Sequence, residues 1–272
     1  MTPETMTGVF ARWKPMRRLV LTIAVLVAAL LGAGLARGEL VQSGNVRLAF
    51  NGGFEPHALP RDRAVPVTLS LSGSILGVDG NRPPAVRRFS IAVNRYGRIF
   101  TRGLPACSAG ELEQTSTQEA LSRCRGALVG HGRVMANVDF PSLAFPEEGR
   151  ALAFNGRAGG RPAILLHIYG SRPVQATVVL AFKISHPRRG PFGTVFTTTV
   201  PRIASDLGYL ANIRLSFDRR YAFGGRPRSF LSARCAAPAG FPGAIFTFAR
   251  GRFLFDNGQR ITTTLTRDCR VR

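Results

Sequence analysis

The residues able to do chemistry in this 272-residue chain are few and scattered. Two close carboxylate pairs occur, Glu111 with Glu113 and Glu147 with Glu148. Paired carboxylates can hydrolyse glycosides, but such pairs ordinarily come from distant positions brought together by the fold. The second pair lies in Pro146-Glu147-Glu148-Gly149, which reads as a polar surface turn. Neither GxSxG nor HExxH is present, so the chain encodes no nucleophile elbow and no zinc-protease helix. His57, His131, His167 and His186 show no ligand spacing. His167 sits in an apolar run and reads as a hydrogen-bonded core histidine, whereas His131, between Gly130 and Gly132, reads as exposed. The glycine-rich phrase from Gly156 to Gly160 lacks the lysine of a phosphate loop. The sequence therefore assigns no catalytic residue, no metal site and no cofactor.

The four cysteines are Cys107, Cys124, Cys235 and Cys269. They lack CxxC spacing, which argues against metal. An even number outside the cytoplasm reads as two disulfides, with three possible pairings. Chain order favours Cys107–Cys124 and Cys235–Cys269. In the simple entropy model, loops of this size stabilise the fold by about 3–4 kcal/mol each.

Charge is the other chemical signal. The chain has 37 Lys+Arg against 15 Asp+Glu, a net +22. Residues 1–38 hold five of the basic and one of the acidic residues, which leaves +18 for the remainder. Almost all of it is arginine, because Lys14 and Lys183 are the only lysines. No zinc-finger spacing, helix-turn-helix pattern or aromatic nucleic-acid motif accompanies it, so no specific nucleic-acid recognition is expected. Anionic polymers outside a cell are the partners such a surface meets. Arg219, Arg220, Arg226 and Arg228 form the candidate anion-binding site. They flank a Gly224-Gly225 turn with Tyr221 and Phe223 between them. Guanidinium forks suit carboxylate and phosphate. The same arginines on a sheet edge would serve to discourage unwanted strand pairing.

These groups must be positioned by elements, and the first element is an address. Arg12, Lys14, Arg17 and Arg18 precede Leu19 to Leu35, a run of seventeen residues without a charge. The pattern is that of an export signal, with the basic end held in the cytoplasm. Small residues at Ala36 and Gly38 suit cleavage before Glu39, and Gly34-Leu35-Ala36 offers another candidate site. Retention as a single-pass anchor is the alternative, with membrane contact through this segment. Residues 1–38 thus read as signal peptide or signal anchor, and residues 39–272 as the exported domain.

That domain reads as all-β. Short alternating segments recur between Gly, Pro and Asn turns, for example Val67 to Ser72 and Phe89 to Val93. Asn51-Gly52-Gly53 and Asn155-Gly156 read as strand ends, and Asn94 to Gly97 as a tight hairpin turn. Ala163 to Tyr169 is the strongest buried strand. Residues 108–125 hold the single helical segment, with Ser116 and Glu119 forming a capping box. The C-terminal hairpin, Ile245 to Phe255 and Gln259 to Thr266, has a bulge expected near Gly251. Antiparallel β-sandwich-like sheets with one short helix fit this pattern better than an α/β fold. A possible internal module boundary falls near 141–162.

Several phrases, in order, carry a resemblance. They are Pro105-Ala106-Cys107, Ala120 to Cys124, Ala127 to Gly132, Gly190 to Thr194, Ser232 to Cys235 with Pro238 to Phe241, and Thr264 to Cys269. Together they resemble a family of exported four-cysteine proteins of high-GC actinobacteria. The resemblance covers most of the exported part. It implies export and disulfides, and it implies no activity, ligand or catalytic residue. The expectation is a non-catalytic exported protein of the cell envelope or extracellular space that binds anionic envelope polymers. The alternative is a secreted hydrolase of such a polymer, with catalytic groups that converge only in three dimensions.

Overall fold

The computed structural model describes residues 38–140 and 143–272. The basic residues and the apolar run read as an export signal lie outside the described residues. Among the described residues, no helix is long and apolar enough to cross a membrane.

Strands dominate. In chain order they are β1 (Glu39–Ser43), β2 (Val46–Glu55), β3 (Ala58–Leu59), β4 (Val65–Pro66), β5 (Thr68–Gly77), β6 (Val86–Asn94) and β7 (Gly97–Ile99). Two short helices follow, α1 (Ala109–Leu112) and α2 (Thr117–Cys124). Then come β8 (Leu128–Phe140), β9 (Leu143–Ala158), β10 (Arg161–Gly170), β11 (Ala176–Ser185), β12 (Phe192–Thr199) and β13 (Gly208–Phe217). The chain closes with β14 (Arg220–Phe223), β15 (Arg226–Ser229), β16 (Leu231–Ala233), β17 (Gly243–Phe255) and β18 (Arg260–Val271).

Thirteen strands form one sheet in the order β1-β2-β5-β13-β8-β9-β10-β11-β12-β6-β17-β18-β3. All neighbours are antiparallel except β18 and β3. The sheet curls until β18 returns against β1 and β2. Side chains, not a ladder, hold this seam: Gln259 donates to the Ser43 carbonyl, and Arg267 donates to Gly52 and Asn51. Opposite walls of the roll turn apolar faces on one another, which gives the sandwich-like arrangement. On one wall Phe89 meets Phe182 edge to face at 5.4 Å and stacks on its cross-strand partner Phe253 at 5.9 Å, and Phe253 in turn meets Phe50 of β2 edge to face at 6.3 Å. Burying each such phenylalanine or leucine stabilises the fold by roughly 1.5–3 kcal/mol.

The burial pattern explains which strands alternate. On β18 exposed and buried residues alternate cleanly, because one face meets solvent. On β10 the run Ala163 to His167 is buried without a break. Ile164 and Leu166 face the interior of the roll. Leu165 and Ala163 face outward, under Leu112, Ala120 and the Cys107–Cys124 disulfide. The helical segment thus covers one patch of the outer wall. α1 and α2 are each started by a complete capping box, Ser108 with Glu111 and Ser116 with Glu119. The N–H donors of such short helices need these partners.

Both cysteine pairs are as chain order favours, Cys107–Cys124 and Cys235–Cys269. The second ties the segment after β16 to β18. There β4, β16 and β7 make a small separate sheet, whose neighbour Phe230 points into the main core. The stretch near 141–162 holds most of β9, which pairs with β8 on one side and β10 on the other.

Several turn expectations are corrected. Asn51-Gly52-Gly53 does not end a strand: β2 runs through it to Glu55. A Cβ on Gly52 would lie 2.7 Å from the Ser70 carbonyl, so this glycine serves close approach rather than a turn. Asn155-Gly156 likewise continues β9. The chain turns later, at Gly159 and Gly160 with φ +56° and +74°. After Arg95 and Tyr96 the chain does turn, but β7 leaves β6 and pairs with β16. The C-terminal hairpin is present, and its register shift falls between Thr247 and Ala249 instead of near Gly251.

Candidate functional site

Strand alternation separates the Glu147–Glu148 pair, since successive side chains on β9 point to opposite faces. Glu148 reaches Arg133 at 2.8 Å, while Glu147 turns toward Gly170 and the Val174 N–H. Glu111 is committed to its cap, and its hydrogen bonds from Ser108 hold its carboxyl below the usual range. Glu147 and Glu148 are therefore not assembled as a pair at one catalytic position.

His167 is fully buried on the helix-covered face of β10. Its Nε2 lies 2.9 Å from the Thr115 carbonyl, so Nε2 carries the proton and donates. The Thr115 hydroxyl lies 3.1 Å from the same nitrogen and itself donates to Leu112. Thr177 donates to the Thr115 carbonyl as well. The imidazole therefore pins the link between α1 and α2 to the sheet. Burial pushes its pKa down, and Nδ1 has no partner. Cys107, Glu111 and Cys124 lie close enough together to suggest a metal site, but both thiols are spent in the disulfide.

The arginines at the Gly224-Gly225 turn form a hairpin. β14 pairs with β15, and both glycines have positive φ, +60° and +68°. Such a two-residue turn demands this conformation at both positions. Register puts Tyr221 opposite Arg228 and Phe223 opposite Arg226, all four on one face. The Arg228 guanidinium lies 5.2 Å from the Phe100 ring centre, and the Tyr221 ring stacks on the same phenylalanine. Arg220 lies opposite Ser229 on the other face. Arg219 precedes the strand, half-buried, with an unpartnered Nε. The hairpin brings Arg226 and Arg228 together and leaves Arg219 and Arg220 apart from them.

A second arginine group emerges only from strand register. Arg214 on β13 is the direct partner of Arg133 on β8, and Arg133 is the direct partner of Arg150 on β9. Three exposed arginines therefore stand side by side on neighbouring strands of the outer wall. Their outer members are about 10 Å apart along the hydrogen-bonding direction. Ser72 and Tyr169 extend the row at either end. His131 lies two residues from Arg133 on the same face. Against the row lies a cleft of about 640 Å³, lined by His131, Arg133, Glu148, Arg150 and Arg172 among others. Glu148 neutralises Arg133 alone. Among the described residues, no carboxylate lies within ion-pair distance of Arg150, Arg172 or Arg214.

No protein-family model, curated protein or solved structure matches the chain. The arrangement itself is what bears on chemistry. Like charges placed directly opposite one another on a sheet are destabilising. A run of three, with one carboxylate beside it, is an arrangement that a bound polyanion relieves. The row escaped sequence reading because Arg133, Arg150 and Arg214 are 17 and 64 residues apart. A signal was present in part: Arg133 lies on the polar face of an alternating strand, whereas the face of Arg150 continues into the buried Leu152 and Phe154.

Proposed function

We propose that this chain is an exported, non-catalytic binding protein of the cell envelope or extracellular space. It holds anionic envelope polymers against the outer wall of its rolled sheet. The observation that carries this reading is the row Arg214–Arg133–Arg150 in direct cross-strand register. Repeating phosphates or carboxylates on a polymer can meet successive guanidinium forks, each able to donate two directed hydrogen bonds. The adjoining cleft with Arg172 leaves room for the polymer backbone. The Arg226–Arg228 face of the β14–β15 hairpin supplies a second, smaller contact.

Export is supported by two disulfides, which persist in oxidising surroundings, and by the basic and apolar N-terminal segment. The placement of His167 and of the two glutamate pairs favours binding over hydrolysis. Retention on immobilised poly(glycerol phosphate) teichoic acid and on a neutral glucan, at low and high salt, tests the reading. Retention on the anionic polymer alone, weakened by salt, is expected. Equal retention on both polymers would overturn it.

A further inference from the structure

The interior of the roll is incompletely filled. A cavity of about 90 Å³ lies between Phe89, Phe182 and Phe253 on one side and the cross-strand neighbours Phe50, Gly73 and Ile213 on the other. A second, of about 60 Å³, adjoins it under the small β4–β16–β7 sheet, and the two share Leu69, Phe196 and Leu231. Protein interiors seldom keep voids much larger than a water molecule. Water gains nothing in the first cavity, whose exposed lining is apolar. Only the two cavities together approach the volume of about 150 Å³ at which a dry apolar cavity takes up benzene. The second cavity runs toward Tyr96, Arg98 and Arg234. Arg98 is exposed, and the Arg234 guanidinium lies 4.6 Å from the centre of the Tyr96 ring. Among the described residues, neither arginine has a carboxylate within ion-pair distance.

We infer that the rolled sheet takes the end of one hydrocarbon chain of an anionic amphiphile. The chain lies along the two cavities, and the head group sits at Arg98 and Arg234. This site is separate from the arginine row on the outer wall. It therefore stands or falls independently of polymer binding. The shared chemistry is an apolar chain with a negative head, whether from a free fatty acid or from a phospholipid.

Calorimetric titration of the protein beginning at Glu39 tests it with butanoate, octanoate, dodecanoate, lysophosphatidylglycerol and dodecyltrimethylammonium. Saturable one-to-one binding of dodecanoate is expected. Affinity should rise by about fourfold per added methylene until the cavities are full. Dodecanoate alone marks a fatty-acid site, and lysophosphatidylglycerol binding more tightly marks a phospholipid site. Preference for the cationic amphiphile, or no saturable binding of either anionic probe, would overturn the inference. A Cβ at Gly73 would meet only ordinary contacts, the Ala49 carbonyl at 3.5 Å and Ile213 at 3.7 Å. Gly73→Val should therefore fill the void and weaken binding at least tenfold. Unchanged binding by folded Gly73→Val would contradict it. Should that variant not fold, nuclear Overhauser contacts in the native protein decide. The dodecanoate methyl must meet the ring protons of Phe89, Phe182 or Phe253, and contacts to surface residues alone would sink the site. Arg133→Ala with Arg150→Ala should leave dodecanoate binding unchanged.

Discussion

Arg267 on β18 donates from Nη2 to the Asn51 side-chain oxygen on β2 at 2.6 Å, across the seam of the rolled sheet. Its Nε also donates to the Gly52 carbonyl at 2.7 Å, and Nη1 to Thr266 at 2.6 Å. The residue is only 8 % exposed. Burial pushes its pKa down, and Glu39 and Asp268 act in the other direction. At a seam without ladder hydrogen bonds, one buried guanidinium takes over part of that work. Hydrogen bonds to charged groups contribute about 1.5–3 kcal/mol. Arg267→Ala should lower stability by about 2–3 kcal/mol in urea unfolding, with the protein still cooperative. A loss below about 0.5 kcal/mol would show that the seam closes without it.

His167 makes stability depend on pH. Its folded-state pKa lies below the ordinary 6.5 because burial disfavours the charged ring. Below pH 6.5 the unfolded chain therefore takes up a proton that the folded chain does not, so stability falls as pH drops. Above that value both states are neutral and the contribution is fully present. The expected readout is a native protein that loses stability from pH 7.5 to 5.5 more steeply than His167→Gln, by at most one proton in slope. Parallel profiles would contradict the buried, neutral imidazole.

Gly156 lies under the Cys107 carbonyl, where an added Cβ would come within 2.6 Å. Gly156→Ala should destabilise by about 1–3 kcal/mol through overpacking, even though strand conformation suits alanine. Unfolding midpoints of the variant and the native protein measure this directly. A neutral substitution would contradict the close approach of the Cys107 backbone to Gly156.

The misreading of Asn155-Gly156 as a strand end shows where the sequence was legible. Alternation in β5 and β18, the Ser116–Glu119 capping box, the Gly224-Gly225 hairpin and both cysteine pairings all depend on near neighbours, and the chain shows them. Gly52 and Gly156 are glycines because another strand or the Cys107 backbone approaches them. That fact belongs to the tertiary structure. Likewise, Arg219, Arg220, Arg226 and Arg228 are visible as a cluster because they are close in sequence. Arg133, Arg150 and Arg214 become neighbours only through the registers of β8 with β9 and β13.

A row of like charges maintained for binding should cost stability. Arg150→Thr removes one repulsion from the β8–β9 pair and places a strand-favouring residue there. Stability at low salt should rise by about 0.2–1 kcal/mol, while affinity for the anionic polymer falls. Thermal unfolding at two salt concentrations measures the first effect, and the gain should shrink with added salt. A destabilised variant would mean that Arg150 supports the fold instead.

The most direct test is titration of poly(glycerol phosphate) into native protein, Arg133→Ala with Arg150→Ala, and Arg226→Ala with Arg228→Ala. Removing two of the three row arginines should weaken binding at least tenfold and make it less sensitive to salt. The hairpin substitutions should weaken it only a fewfold. Binding that survives the row substitutions unchanged, or that is abolished by the hairpin substitutions alone, would contradict the arginine row as the polymer-binding site.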